Sequence, residues 1–165
     1  MANIYLVGFM GTGKTTAGKK VAQKKKWQFI DLDELIELKE KRSISDIFAK
    51  EGETYFRKIE KNTLLKVSRE KNFVVACGGG IVLDKENIKI MKKTGITVCL
   101  TASAAAILKR TSAFTHRPLL RAADPKKQIE LLLKLRAPYY AQADKIIDTS
   151  RLAVDGVVKK IISKL

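Results

Sequence analysis

Short apolar runs alternate along the chain with longer stretches in which apolar and charged residues recur at helical spacing. The runs have the length of buried β-strands, and the longer stretches have the period of amphipathic helices. Five strands are predicted, over Ile4 to Val7, Phe29 to Ile30, Phe73 to Cys77, Ile96 to Leu100 and Ile146 to Ile147. Eight helices are predicted, over Lys14 to Lys24, Asp33 to Lys41, Ser45 to Lys50, Thr54 to Lys71, Lys85 to Lys93, Ser103 to Lys109, Pro125 to Gln142 and Ala153 to Leu165.

This alternation predicts an α/β fold, with a parallel sheet covered by helices on both faces. Ligands of such sheets bind at the carboxyl ends of the strands, so the residues that follow each apolar run are the candidates for chemistry. A chain of 165 residues is long enough for one buried core, and we expect a single domain over residues 1–165.

Thr111 to Asp124 is the one segment with weak periodicity and mixed chemistry, and it is predicted to form a mobile lid. Asp124 and Pro125 have the residue types of an N-cap and a first helical position, so the next helix should begin there. His116, the only histidine of the chain, is expected to be an exposed lid residue rather than a base.

The chain has 33 basic and 17 acidic residues, and its formal charge of +16 could indicate a polyanionic partner. The lysines are spread over nearly every predicted helix, and no basic stripe is interleaved with aromatic residues. Solvated helix faces that attract small anions are therefore favoured over a nucleic-acid surface.

No apolar stretch approaches the roughly 20 residues that cross a bilayer, and the N-terminus has no signal-peptide pattern. Cys77 and Cys99 each lie in or at the end of an apolar run, which indicates reduced, buried thiols. We expect a cytoplasmic protein without a membrane partner.

The stretch from Gly8 to Thr16, GFMGTGKTT, matches the phosphate-binding pattern GxxxxGK[ST] between a predicted strand and a predicted helix. Its glycines can adopt positive φ, so that successive amides face one concavity at the positive end of the helix dipole. Lys14 is placed to bind the β and γ phosphates, and the Thr15 hydroxyl to ligate Mg²⁺. The predicted ATP-binding residues of this loop are Gly11, Thr12, Gly13, Lys14, Thr15 and Thr16.

Two carboxylates, Asp31 and Asp33, end the second predicted strand, whereas glycine stands after the third strand, where a P-loop enzyme usually has its metal-binding aspartate. Asp31 can supply the missing acid and reach Mg²⁺ through water, which leaves Asp33 to meet the second substrate. Taken alone, the stretch DLDEL is also typical of a helix N-cap with acidic residues in its first turn.

Three consecutive glycines, Gly78, Gly79 and Gly80, follow the third predicted strand. They could form a loose turn, or they could let a substrate lie against bare backbone whose amides act as donors. The second interpretation is favoured.

Three arginines are candidate anion ligands. Arg57 and Arg136 have the guanidinium fork that captures a carboxylate, although each, taken alone, is more typical of a solvated helix arginine. Pro138 should disturb the helix that carries Arg136. Arg117 lies in the predicted lid, from which it could deliver a cation to the transferred phosphoryl group.

In this order, the blocks GFMGTGKT, DLD, FRKIE, CGGGIV, RPLL, RAPYYAQAD and IIDT closely resemble the shikimate kinase family over residues 4–149. The resemblance implies a P-loop kinase fold similar to that of nucleoside monophosphate kinases, with strand order 2-3-1-4-5 and a monomeric chain. It also implies a substrate-binding helical segment at about residues 33–61. The activity implied is ATP-dependent phosphorylation of the shikimate 3-hydroxyl, a step of aromatic amino-acid biosynthesis.

By the same resemblance, Asp33 would be catalytic together with Lys14 and Arg117, and Arg110 would lie near the adenine. The implied shikimate-binding residues are Asp33, Arg57, Gly78, Gly79, Gly80 and Arg136, and the implied metal-site residues are Thr15 and Asp31. Two alternative functions remain open. The chain could be another small-molecule kinase, for gluconate or a nucleotide, or a basic P-loop ATPase that binds nucleic acid.

Overall fold

The fold alternates strands and helices, as seen in a computed structural model that describes residues 2–112 and 123–165. The strands are β1 (Asn3–Val7), β2 (Gln28–Asp31), β3 (Phe73–Ala76), β4 (Gly95–Thr101) and β5 (Lys145–Asp148). The helices are α1 (Lys14–Lys25), α2 (Leu32–Glu40), α3 (Ile44–Glu51), α4 (Glu53–Val67), α5 (Lys85–Thr94), α6 (Ala104–Thr111), α7 (Pro125–Tyr140) and α8 (Val154–Ser163). A short 3₁₀ turn, Ile81–Leu83, lies between β3 and α5.

The five strands form one parallel sheet in the order β2-β3-β1-β4-β5, which confirms the order expected from the resemblance. The strand β1 is central and pairs with β3 on one side and β4 on the other. Its carboxyl end therefore lies beside the ends of both neighbours. Chain segments that follow β1, β2 and β3 meet at this edge, where the predicted site residues stand.

Each face of the sheet carries its own hydrophobic core, because side chains alternate along the central strands. Tyr5 and Val7 point to a core shared with α2, α4, α5, α6 and α7. Ile4 and Leu6 point to a core shared with α1 and α8. The predicted arrangement of helices on both faces is confirmed.

The helices α2, α3 and α4 enclose a small separate cluster at one side of the sheet, built on Ile36, Ile47 and Phe56. Polar contacts tie its rim together: Tyr55 donates a hydrogen bond to Glu40 at 3.0 Å, and Arg42 pairs with Glu51 at 3.2 Å. The cluster supports α4, which carries Arg57.

The observed elements agree with the predicted ones to within a few residues at most ends. Asp124 caps α7 through its side chain and Pro125 is the first helical residue, as predicted. Pro138 does not end α7 at once, because the helix continues to Tyr140 with the proline inside it. In residues 2–112 and 123–165, no helix is long and apolar enough to cross a membrane.

Candidate active site

The loop between β1 and α1 has the backbone of a phosphate cradle. Gly8, Gly11 and Gly13 all have positive φ, at 139°, 75° and 94°, as predicted from the motif. A Cβ at Gly13 would meet no atom within 4 Å, so it is the φ angle that favours glycine there. Gly13 is also the N-cap of α1, and the unpaired amides of the first turn of α1 therefore open towards the loop.

Two side chains of the cradle are held in defined positions. The Lys14 ammonium donates to the carbonyls of Gly8 and Phe9, at 2.7 and 2.9 Å, so it folds back over the loop. The Thr15 hydroxyl donates to Oδ2 of Asp31 at 2.7 Å. The Lys14 ammonium and the hydrogen-bonded oxygens of Thr15 and Asp31 therefore lie next to each other at the start of α1.

Asp31 is the N-cap of α2 through one carboxylate oxygen, and its other oxygen contacts the phosphate cradle. Its Oδ1 accepts from the backbone amides of Asp33 and Glu34, which makes it the N-cap of α2. Its Oδ2 faces the Thr15 hydroxyl. Hydroxyl and carboxylate oxygens are the ligands that Mg²⁺ prefers, and this ion commonly takes one or two protein ligands together with substrate phosphates. The described residues contain no cluster of three or more His, Cys, Asp or Glu that could hold a metal alone.

Among the carboxylates at the strand ends, Asp33 has the most strongly shifted pKa. Its Oδ1 is buried and has no hydrogen-bond partner among the described residues. Burial, followed by repulsion from Asp31, raises the pKa of Asp33 to about 6, and the charge of Lys14 opposes the rise. A carboxylate with an open acceptor oxygen and a pKa just below neutrality is suited to receive a proton from a hydroxyl group.

The raised pKa of Asp33 predicts a pH-dependent gain of stability when the charge is removed. The folded protein binds the Asp33 proton more tightly than the unfolded chain does. Protonation of Asp33 therefore stabilises the wild-type fold below about pH 4, and this stabilisation is lost as the pH rises through about 6. Asp33→Asn should therefore raise the free energy of unfolding by about 1–3 kcal/mol at pH 8, and much less at pH 4. Urea unfolding at the two pH values measures the difference, and a gain that is equal at both would contradict it.

Glu60 is a buried neighbour of the candidate site that the sequence analysis did not identify. It is 1 % exposed, and its Oε1 pairs with Arg57 at 2.8 Å, one helical turn earlier on α4. Burial raises the pKa of Glu60 to about 7, although Arg57 opposes the rise. The signal in the sequence was its spacing, because residues i and i+3 share a helix face. Glu60 fixes the direction of the Arg57 guanidinium.

The glycine run packs against the charged side chains. A Cβ at Gly78 would lie 2.8 Å from Oδ1 of Asp33 and 3.2 Å from Oε2 of Glu60. At Gly80 it would overlap the Arg57 guanidinium. A loose turn would not need such close approach, so the packing supports the interpretation of the run as a binding surface.

Arg136 reaches the same place from α7. The position of a Cβ on Gly79 is 3.3 Å from Nη1 of Arg136 and 3.6 Å from the carbonyl oxygen of Gly8, so the glycine run also adjoins the phosphate cradle. The Arg136 guanidinium lies over the Phe9 ring at 5.6 Å. The fold therefore brings Asp33, Arg57, Arg136 and the glycine run to one place beside Lys14.

A cavity of about 370 Å³ opens on the other side of the cradle. Its lining residues are Gly11, Thr12, Gly13, Thr16, Ala17, Arg110, Thr149, Leu152, Val154 and Val157. Its walls are mostly apolar, and this suits a flat base next to the phosphate loop.

Arg110 is held at this cavity by the loop after β5. It donates to Oγ1 and to the carbonyl of Thr149, at 3.0 and 2.6 Å, and to the carbonyl of Gly11 at 3.2 Å. Thr149 is buried and was not predicted, since a threonine at a strand end has no distinctive pattern. The Thr12 hydroxyl is buried and donates to Phe9, so Thr12 has only its backbone to offer a phosphate.

Arg117 and His116, which the sequence analysis placed in a lid over residues 111–124, lie outside the described residues. Their predicted roles stay predictions.

The chain is similar to shikimate kinases in both sequence and structure. A family model described as shikimate kinase matches residues 10–165. A shikimate kinase of Caldanaerobacter subterraneus is 48% identical over 162 residues, and one of Thermoanaerobacter pseudethanolicus is 46% identical over 162; each alignment covers 98% of this chain and 95% of the relative. The structure of a shikimate kinase from Acinetobacter baumannii in complex with shikimate is 38% identical and superposes with a TM-score of 0.94, covering 99% of this chain and 92% of the other.

Proposed function

The chain belongs to the shikimate kinase family, and from this premise we propose how its residues carry out the reaction of the family. It is an enzyme that phosphorylates shikimate with ATP in the biosynthesis of aromatic amino acids.

The observation that carries the proposal is the position of Asp33. Its buried, unpartnered Oδ1 lies against Gly78, close to the two arginines of the acceptor site, and its charge interacts with that of Lys14. We place the shikimate 3-hydroxyl at this oxygen. Asp33 orients the hydroxyl and accepts its proton while the hydroxyl oxygen bonds to the γ-phosphorus and the bond to ADP breaks.

Two guanidinium groups hold the carboxylate of the acceptor. Arg57 is directed by the buried Glu60, and Arg136 approaches from α7 across the glycine run. A planar fork can form two parallel hydrogen bonds to a carboxylate, which fixes the orientation of the ring as well as its position. The glycine run, Gly78 to Gly80, forms the floor against which the ring lies.

On the nucleotide side, the amides of Gly11 to Thr16 receive the phosphates, and Arg110 lies at the base. Lys14 exchanges its contacts with the loop carbonyls for the β and γ phosphates, so that it neutralises charge on the moving group. We propose that Arg117 adds a second cation from the lid.

Thr15 and, through water, Asp31 would hold Mg²⁺, because their oxygens already lie 2.7 Å apart and have the right chemistry for a hard cation. When bound, the metal supplies positive charge next to the phosphates.

We also propose that the enzyme works as a monomer in the cytoplasm. All residues assigned to the two substrates belong to one chain, and ATP is a cytoplasmic substrate. The two cysteines are unpaired and buried, in keeping with a reducing compartment. Residues 1–165 are proposed to be one domain, in which α2 to α4 form the substrate-binding segment.

A coupled ADP-release assay tests the function, with shikimate, gluconate and nucleoside monophosphates compared in parallel. We expect shikimate to give at least about 100-fold higher kcat/KM than the other acceptors, because each lost polar partner at a built site is costly. Equal or faster release with gluconate or a nucleotide would contradict the proposal. ADP release without an acceptor that is stimulated by DNA or RNA would also contradict it.

A further inference from the structure

Tyr140, the last residue of α7, contacts the acceptor site without belonging to the residues assigned above. It is 6 % exposed, and its hydroxyl donates a hydrogen bond to the carbonyl oxygen of Gly79 at 2.7 Å. Burial raises the pKa of Tyr140 to about 12, an effect that Arg136 partly offsets. The hydroxyl therefore keeps its proton and donates this bond throughout the physiological pH range.

The bond fixes the direction of a peptide plane. A trans peptide is planar, so its carbonyl and the amide of the next residue point in opposite directions. Holding the Gly79 carbonyl therefore sets the direction of the Gly80 amide. In the described part of the chain, the amides of Gly79 and Gly80 donate no hydrogen bond, which leaves them available to a ligand.

The same helix supplies an acceptor-binding group and the group that holds the loop. Arg136 and Tyr140 are four residues apart on α7, and such residues lie on one helix face. Arg136 meets the glycine run near the Cβ position of Gly79, and Tyr140 holds the carbonyl of that same residue. A shift of the loop relative to α7 would therefore change the distance between the glycine amides and the guanidinium.

We propose that Tyr140 is a positioning residue for acceptor binding, which holds the Gly79 peptide in register with Arg136 so that both meet the acceptor together. The inference rests on the proposed function, since the acceptor is shikimate. It assigns to Tyr140 no contact with the reacting atoms.

Tyr140→Phe tests this, because it removes only the hydroxyl and keeps the buried ring. A buried neutral hydrogen bond is worth about 0.5–1.5 kcal/mol, so both the shikimate Kd and the shikimate KM should rise about two- to tenfold. The ATP KM and the kcat at saturating shikimate should stay within about twofold. Isothermal titration calorimetry with shikimate and steady-state kinetics measure these values.

Tyr139→Phe is the matched control. Tyr139 is the neighbouring, partly buried tyrosine, and its hydroxyl makes no hydrogen bond within residues 2–112 and 123–165. This variant should keep both shikimate constants at wild-type values. A merely structural role for Tyr140 would lower thermal stability and raise the KM of both substrates together, and that result would overturn the inference.

A double-mutant cycle supplies a second test. If Tyr140 acts by holding the loop in register with Arg136, the effects of Tyr140→Phe and Arg136→Lys on the shikimate Kd should be non-additive. Additive effects, or wild-type shikimate binding by Tyr140→Phe, would overturn the inference while the proposed function stands. Failure of the wild-type enzyme to bind shikimate would instead show that the proposed function is wrong.

Discussion

Replacing Asp33 by asparagine is expected to lower the turnover number about 10²- to 10⁴-fold, the range in which a positioned acid or base contributes to catalysis. Asparagine keeps the size of the side chain but cannot accept a proton from the attacking hydroxyl. The ATP-binding groups are not altered, so the ATP Kd should stay within about threefold of the wild-type value. Single-turnover kinetics and ATP titration measure the two effects separately.

The control is Glu34→Gln, which removes the next acidic charge of α2. Glu34 is exposed in the same helical turn, and only its backbone amide takes part in the cap of α2. This variant should turn over normally. If Asp33→Asn also keeps near wild-type turnover, the role assigned to Asp33 is wrong.

Combined with the stability prediction, Asp33→Asn should be less active and, at pH 8, more stable than the wild-type protein. A buried, desolvated charge costs folding free energy, and we infer that the site keeps this charge because the substrate hydroxyl needs a proton acceptor. A variant that loses both activity and stability would argue for a structural carboxylate.

Replacing Arg136 by lysine should raise the KM for shikimate about 10- to 100-fold. Lysine keeps the charge, but a single ammonium group cannot form the two parallel hydrogen bonds of the guanidinium fork, and one hydrogen bond to a charged group is worth about 1.5–3 kcal/mol. The KM for ATP should change little, since Arg136 contacts the cradle at the Phe9 ring, which is not among the predicted ATP-binding residues. Initial rates with each substrate varied in turn give both constants.

Arg69→Lys is the control for this exchange. Arg69 is exposed beyond the end of α4, and the same substitution there should leave both KM values unchanged. An unaltered shikimate KM in Arg136→Lys would reject the assignment of the acceptor carboxylate to this side chain.

The strands and the phosphate cradle could be predicted because each depends on local signals. The β1 run is apolar on both faces, as befits a central parallel strand, and the spacing from Gly8 to Thr15 is specific for one loop geometry. Asp124 and Pro125 likewise marked the start of α7 by their own chemistry. Such signals need no knowledge of distant residues.

The supporting residues could not be predicted in the same way. Glu60 and Tyr140 have side chains that usually lie at a helix surface or in a generic core, and what singles them out is their contact with the glycine run beyond their own helices, Gly78 for Glu60 and Gly79 for Tyr140. Thr149 contacts Arg110 only because the loop after β5 returns beside the cradle. Asp31 shows the complementary case: the N-cap interpretation is confirmed for its Oδ1, and the metal role stays a prediction for its Oδ2, which accepts from the Thr15 hydroxyl.

The glycine run also limits how the enzyme could be redesigned for another acceptor. A side chain added at position 78 would press on Asp33 and Glu60. One at position 79 would press on Arg136, and one at position 80 on Arg57. Enlarging these residues would thus displace the charged groups that are proposed to bind and activate the acceptor. New specificity would have to be introduced from the walls of the pocket, where side chains already exist and can be exchanged.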